Sequence, residues 1–326
     1  MSMDRFGDKV CCNPNVKLKK QESYPVIDID KITPGYKAVR SVASIEYTGQ
    51  GGAKFQDHDV LFARITPCLE NGKMAIADTE GQNGIGSTEL FVFRGIDGVS
   101  DTDYVYYLLC MKHIRQLAAN SMTGASGRQR ADLDFIKRIQ WDFPDIEMQK
   151  KIASVLSAYD NLIEVNNKRI DFLEQIAENL YKEWFVRFRF PGHETAEFEN
   201  GKTGFVMGMP ENEVLGGSTE FVVMRSKALT PHYVYCIARS YYFRQTAILS
   251  MNGADGRQRV DEDKLKSTKI LQPEKTVLDH FETIVTPIFD GVYQMVQENK
   301  NLIQQRDLLL PRLMSGKLEV QYALND

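Results

Sequence analysis

Residue types that carry metal or nucleophilic chemistry are few in this chain, and they do not gather. The five histidines, His58, His113, His193, His232 and His280, show no HExxH or other metal-ligand spacing. The five cysteines, Cys11, Cys12, Cys68, Cys110 and Cys236, form no CxxC pair and no even framework; core or surface thiols in a reducing cytoplasm are the expected state. There is no GxSxG elbow, no GxxxxGK[ST] phosphate loop and no strand-linked GxGxxG. Asn13-Pro14-Asn15 lacks the second proline and the base-stacking aromatic of an adenine methyltransferase tetrad, and reads as a turn. Asp28 and Asp30 alternate on one segment and read as solvated. An enzyme carrying its own chemistry is therefore disfavoured, and no cofactor or metal is expected. No apolar run approaches the roughly 18 residues of a membrane span. Met1-Ser2-Met3-Asp4-Arg5-Phe6 has no secretory-leader pattern, so a cytoplasmic protein is expected.

Strong positive charge is also missing. The net charge is −4, which argues against coating nucleic acid by bulk electrostatics but leaves room for local basic surfaces. Lys17, Lys19, Lys20, Lys37 and Arg40 lie close in sequence, Arg128 and Arg130 share a glycine-bearing loop, and Arg187 and Arg189 close a long helical segment. With 326 residues, 43% hydrophobic and 26% charged, the chain has room for two domains and their connections.

What the chain does have is a repeat. Gly86-Ser87-Thr88-Glu89 returns about 130 residues later as Gly217-Ser218-Thr219-Glu220, far beyond a solenoid period. Tyr104-Val105-Tyr106 returns as Tyr233-Val234-Tyr235, and Arg115-Gln116 as Arg244-Gln245. Gly124-Ala125-Ser126-Gly127-Arg128-Gln129-Arg130 returns as Gly253-Ala254-Asp255-Gly256-Arg257-Gln258-Arg259. Each copy then runs to a proline, Pro144 or Pro273, and into a long helical pattern. A domain-plus-helix unit has been duplicated, which implies a partner with two related sites.

Residues 24–32, 59–65 and 87–94 have strand composition, and residues 101–120 read as a helix capped by Asp101. In the second copy, Thr230-Pro231 supplies an N-cap followed by proline at the first helical position. Mixed α/β architecture follows for both copies. The long segments repeat apolar residues at alternating intervals of four and three. The first runs Ile152, Leu156, Tyr159, Ile163, Asn166, Ile170, Leu173, Ala177, Leu180 and Trp184. The second runs Phe281, Val285, Ile288, Val292, Met295, Asn299, Leu302, Arg306, Leu309 and Leu313. These are coiled-coil seams, each with one asparagine. If Ile152 faces Leu313 in an antiparallel pair, Asn166 falls opposite Asn299. The alternative is two separate amphipathic helices, each packed on its own domain. A seam of about 33 residues at 1.5 Å rise is on the order of 50 Å long.

The Gly-Ala-x-Gly-Arg-Gln-Arg loops carry the most suggestive chemistry. Glycine lets backbone approach a partner closely, arginine reads guanine or clamps phosphate, and glutamine pairs with adenine. Merely solvated loops are the bland alternative, as is support of the domain–helix junction. Residues 48–54 and 64–73 add polar, glycine-bearing loops.

Taken together the chain resembles the specificity subunits of type I restriction–modification systems, over nearly its whole length. The resemblance rests on Leu61-Phe62-Ala63-Arg64-Ile65-Thr66-Pro67-Cys68-Leu69-Glu70-Asn71-Gly72-Lys73, on Gly86-Ser87-Thr88-Glu89 and on Gln149-Lys150-Lys151-Ile152-Ala153. It rests also on Asn167-Lys168-Arg169-Ile170, Trp184-Phe185-Val186-Arg187-Phe188 and Leu310-Pro311-Arg312-Leu313-Met314-Ser315-Gly316-Lys317-Leu318. It implies two α/β target-recognition domains joined by two long helices that form an antiparallel coiled coil, reading a bipartite double-stranded DNA target and docking methyltransferase subunits. A restriction translocase is a further candidate partner, and the subunit itself catalyses nothing.

One departure stands out. About 85 residues precede the first Gly-Ser-Thr-Glu element, whereas only about 25 separate Glu194 from Gly217, so the second recognition domain reads as truncated. Expected boundaries are 1–145 for the first recognition domain, 146–190 for the first long helix, 191–273 for the truncated second domain and 274–326 for the second helix and tail. A half-domain has little core of its own, so surface near Phe221, Val223 and Tyr241 should be poorly covered. Candidate DNA-contacting residues are Lys54, Arg64, Thr66, Asn71, Lys73, Arg128, Gln129, Arg130, Arg257, Gln258 and Arg259, concentrated on the first domain. The alternative function is a degenerate adaptor that binds methyltransferase subunits without full DNA recognition.

Overall fold

The computed structural model describes residues 3–125, 129–182, 203–208, 216–218, 220–252, 259–318 and 320. The chain packs as two compact units, one of Met1–Glu164 with Lys300–Asp326 and one of Val165–Asn299. Each long helix contributes a stretch to both.

Unit 1 begins β1 (Asp4–Arg5), α1 (Phe6–Lys9), β2 (Val10–Cys12), β3 (Ser23–Ile27), β4 (Ala38–Arg40), β5 (Ala43–Glu46) and β6 (Ala53–Phe55). It continues β7 (Val60–Ala63), β8 (Met74–Asp78), β9 (Gly84–Gly86), β10 (Leu90–Gly95), α2 (Thr102–Cys110), α3 (Lys112–Asn120), α4 (Leu133–Arg138) and β11 (Gln140–Trp141). A five-stranded sheet has the order β2-β10-β7-β8-β4, a four-stranded sheet β5-β3-β9-β6, and β1 and β11 form a ribbon. The β4–β8 and β3–β9 pairs are parallel and the rest antiparallel.

Side-chain alternation sorts the central strands into two cores. Val60, Phe62, Met74, Ile76, Phe91 and Phe93 face a cluster shared with α2, α3 and the long helices. Their neighbours Leu61, Ala63, Ala75, Ala77, Leu90 and Val92 face a second cluster with Ile27, Val39 and Phe55. Burial on both faces explains why these strands read as unbroken apolar runs rather than alternating patterns. The mixed α/β expectation holds, with shorter strands than composition implied. The segment from residue 24 leaves its sheet after Ile27, because Asp28 accepts the Lys31 amide in a turn. Asp28 and Asp30 are exposed.

The expected helix over residues 101–120 is two helices. Asp101 caps α2 by accepting the Tyr104 amide at 2.9 Å, but Met111 is extended (φ −62, ψ 127) and separates α2 from α3. Unit 2 repeats this break. Its α6 (Pro231–Arg239) and α7 (Tyr241–Leu249) are separated by extended Ser240, and α8 (Glu262–Lys266) follows. Pro231 takes the first position of α6 as expected, whereas the Thr230 hydroxyl makes no capping bond. Among the described residues unit 2 has no paired strands beyond one isolated bridge. Its core, built from Tyr233, Tyr235, Phe281, Val285 and Phe289 with Ala177 and Tyr181, lies on the long helices instead. Phe221 and Val223 are 67% and 85% exposed, while the matching Leu90 and Val92 of β10 are 4% and 2% exposed. Tyr241 is exposed too.

The long helices are α5 (Ile146–Tyr181) and α9 (Lys275–Met314). They pair antiparallel in the expected register. In unit 2 the Asn166 Nδ2 donates to Asn299 Oδ1 at 3.0 Å, and Asn299 Nδ2 donates to Asn167 Oδ1 at 2.9 Å. In unit 1, Ile152 and Leu156 share a core with Leu310, Leu313 and Met314. The seam drifts where a straight helix outruns a strict heptad. Asp160, Tyr181, Phe289 and Leu310 are the buried residues where Tyr159, Leu180, Ile288 and Leu309 were expected, each displaced by one position. Trp184, Arg187 and Arg189 lie outside the described residues.

The asparagine layer gives a first prediction. Asn166→Leu should lower stability in urea unfolding by about 1–3 kcal/mol, since it takes the donor from the buried Asn299 Oδ1. Replacing both asparagines with leucine should recover much of the loss while loosening the register. A single substitution without effect would show that the layer is dispensable.

Candidate nucleic-acid interface

The two repeated motifs turn out to be partners. Glu89 closes the Gly-Ser-Thr-Glu element, with its amide held by the Ser87 hydroxyl at 3.2 Å, and its carboxylate receives Arg130 Nε at 2.9 Å and Nη2 at 2.5 Å. The pair recurs in unit 2. The Ser218 hydroxyl holds the Glu220 amide at 3.2 Å, and Arg259 donates Nε at 3.0 Å and Nη2 at 2.5 Å to Glu220. Arg130 and Thr123 exchange backbone hydrogen bonds at 2.9 and 3.1 Å, as do Arg259 and Asn252 at 2.9 Å each way. Next to each bridge a serine hydroxyl receives an aspartate amide, Ser121 from Asp132 at 3.1 Å and Ser250 from Asp261 at 3.2 Å. Both aspartates then cap the following short helix. Each glycine-bearing loop is thus pinned at its base by the same latch, a fork of two parallel charge-assisted bonds. The adjoining guanidinium and its hydrogen bonds hold the Glu89 carboxyl below the usual glutamate range.

Unit 1 adds a second layer that unit 2 does not show among its described residues. Arg64, at the end of β7, donates its amide to Glu89 O at 3.0 Å and accepts from the Ala131 amide at 2.8 Å; the Thr66 amide donates to Gln129 O at 3.0 Å. Arg64, Thr66, Gln129 and Arg130 are therefore brought together, and the Arg64 guanidinium lies 4.6 Å from the Phe91 ring. The Thr66 hydroxyl contacts Met122 Sδ at 3.4 Å. Asn71 is exposed in the turn that follows.

Other candidates are committed elsewhere. Lys73 Nζ donates to Ile29 O at 2.9 Å and ties its turn to the body of the domain. Lys54 sits on β6 of the four-stranded sheet and donates to the Tyr47 hydroxyl at 2.7 Å. Arg128, Arg257 and Gln258 lie outside the described residues.

Glu89, Glu220 and Arg115 join the site although their sequence context marks them only as parts of the repeat. The signal for the glutamates was there, because two motifs that recur together are candidates to touch. Arg115, on α3, reaches the same turn as Arg64: a Cβ on Gly72 would lie 2.3 Å from its Nη1, so glycine there makes room for the guanidinium. Gly72 also has φ +73, which favours glycine.

Nucleophilic groups are muted. Burial pushes the thiols of Cys12, Cys110 and Cys236 up to about 12, where they stay protonated. Among the described residues no group of His, Cys, Asp or Glu side chains could hold a metal ion, and no helix is long and apolar enough to cross a membrane.

Residues 10–175 match the family described as the type I restriction modification DNA specificity domain. The chain belongs to this family. The MjaIX specificity subunit of Methanocaldococcus jannaschii is 37% identical over an alignment covering 70% of this chain and 72% of that protein. The EcoEI specificity subunit of Escherichia coli is 30% identical over 40% of this chain, but the match spans only 23% of that protein. The fold is shared with the crystal structure of the S subunit of a type I restriction–modification system from M. genitalium, at a TM-score of 0.51 and 14% identity over 96% of each chain. This likeness supports the α/β domains and paired helices of the specificity family.

Proposed function

We propose that this chain is the DNA-sequence-recognition subunit of a type I restriction–modification complex, reading a bipartite target and docking methyltransferase subunits. The observation that carries the reading is the duplicated latch: two units each present a loop held at its base by a Glu–Arg fork. Two equivalent loops suit two half-sites in one duplex. Phosphate contacts would set orientation and base-edge contacts would set sequence. The paired helices would set the spacing, with residues 1–145 and 191–273 as the recognition regions. Val165, Phe172 and Ile176 form an exposed apolar row along the unit 2 stretch of α5, a surface suited to a helix of a methyltransferase subunit. A restriction translocase would join the same complex, and the assembly would act in the cytoplasm.

The two half-sites are not equivalent in this proposal. Unit 1 surrounds its loop with β-sheet and the 64–73 segment, whereas the strand-like Phe221–Met224 segment of unit 2 is exposed. Mapping methylated bases in cells with and without the gene should reveal one motif that depends on it, with one stringent and one relaxed half. No gene-dependent methylation would overturn the recognition role and favour the adaptor. Two equally stringent halves, with one copy of the chain per complex, would overturn the asymmetry.

A further inference from the structure

Half-buried Arg94 donates to Asp59 at 2.6 and 2.7 Å, buried Arg306 to Asp160 at 2.5 Å, and exposed Arg130 is held by Glu89. Half-buried Arg64 and Arg115 are bonded to no carboxylate among the described residues, although Arg64 lies near enough to Glu89 to help hold its carboxyl below the usual range. Neither side chain has a hydrogen bond or ion pair among the described residues, and the Nε of each is buried without a partner. Both border the turn that runs from Pro67 to Gly72. Arg64 leads into it with its guanidinium stacked over Phe91, and Arg115 packs from α3 against Gly72.

Taking a guanidinium out of water without a counter-charge is unfavourable, and folded chains normally pair it. Here two are held part-way out of water around one glycine turn, beside a third already neutralised by Glu89. Their planar forks suit the oxygens of phosphate or the O6/N7 edge of guanine. We infer that Arg64 and Arg115 are DNA-contacting side chains of unit 1, and that Glu89 and Arg130 are positioning residues that act through the loop they close. The inference rests on the DNA-recognition reading above and redistributes its chemistry, since Arg130 spends its donors on Glu89. The repeat supports the distinction. The latch is preserved in both copies as structure. Arg115 has a sequence counterpart in Arg244, but Arg64 has none, so unit 1 alone has the full set.

The test uses the full chain assembled with its methyltransferase subunits and a labelled duplex of about 40 base pairs bearing the mapped motif, with affinity measured across salt. Arg64→Gln and Arg115→Gln should each weaken binding about tenfold and reduce the salt slope by about one contact. Their thermal midpoints should stay level or rise. Arg115→Lys keeps the charge without the fork, so it should retain the slope and lose part of the affinity. Glu89→Gln, Arg130→Gln and the double variant should all weaken binding by the same factor, because one latch is broken once. If Arg130 touched DNA directly, Glu89→Gln would bind as well as wild type or better, while Arg130→Gln alone would lower the slope. That pattern would overturn the inference, as would wild-type slope and affinity in both Arg64→Gln and Arg115→Gln. Failure of the wild-type complex to bind the duplex would instead overturn the DNA-recognition reading itself.

Discussion

Asp160→Ala is expected to cost about 3–5 kcal/mol of folding stability, the range for removing one partner of a buried ion pair. Asp160 and Arg306 are 5% and 8% exposed. Arg306 Nη1 donates to Asp160 Oδ1 at 2.5 Å and to the Gly35 carbonyl at 3.2 Å, while the Tyr107 hydroxyl donates to the other carboxylate oxygen. One carboxylate therefore joins α2 to α5 and, through Arg306, to α9 and the Gly35 turn. Alanine would strip Arg306 Nη1 of its carboxylate, leaving it the Gly35 carbonyl, and would leave the Tyr107 hydroxyl the Ser157 hydroxyl at 3.4 Å. Nε and Nη2 of Arg306 would keep their bonds to the more exposed Asp307. Arg306→Met should be similarly damaging, because it leaves the carboxylate uncompensated. The double variant Asp160→Leu/Arg306→Met should sit near wild type, since two apolar groups replace a pair whose desolvation offsets most of its attraction. Urea unfolding of the four proteins measures this directly. Additive losses in the double variant would show that the two groups contribute independently. The pair also has a specificity role to test: it permits only one register of α5 against α9 in unit 1, so the stable double variant should show a broader set of helix pairings.

How much of this was legible depended on whether a feature left a periodic trace. The asparagine layer did, because positions 166 and 299 fall on two seams of matched spacing, and the helix pair forms in that register. The two-faced strands were visible as apolar runs, but their lengths were not, since isoleucines continue past Ile27 at Ile29 and Ile32 and the backbone turn at Asp28–Lys31 is what ends the strand. Met111 gave no warning of a helix break, as neither glycine nor proline flanks it. Its counterpart Ser240 could have given one, because serine is a preferred N-cap and accepts the Phe243 amide at 3.4 Å. The latch left two traces that were read separately, as a loop motif and a strand motif. Pairing Glu89 with Arg130 requires the chain to fold back across about 40 residues, which spacing alone does not encode. Asp160 was hidden because a carboxylate one position beyond a seam tyrosine reads as solvated until the domain packs over it.

The asymmetry between the units predicts opposite outcomes for equivalent substitutions. Phe93 is 0% exposed on β10, an interior strand of its sheet, with ring centroids 5.4 Å from Phe6 and 5.8 Å from Phe62. Phe93→Ala should cost about 3–5 kcal/mol, combining lost transfer energy with the cavity that neighbours cannot fill. Its counterpart in the repeat is Met224, which is 42% exposed. Met224→Ala should change stability by no more than about 0.5 kcal/mol, as expected for a surface site. Urea unfolding followed by circular dichroism would resolve the difference. Function is affected too, because among the described residues no sheet backs the latch of unit 2 as one backs the latch of unit 1. If Met224→Ala proved as costly as Phe93→Ala, the Phe221–Met224 segment would be packed in solution and unit 2 would have a support equivalent to that of β10. The proposed difference in half-site stringency would then lose its physical basis. If instead Met224→Ala is neutral and Phe93→Ala severe, the rigid half of the recognition surface is the one carried by unit 1, and the stringent half-site should follow it.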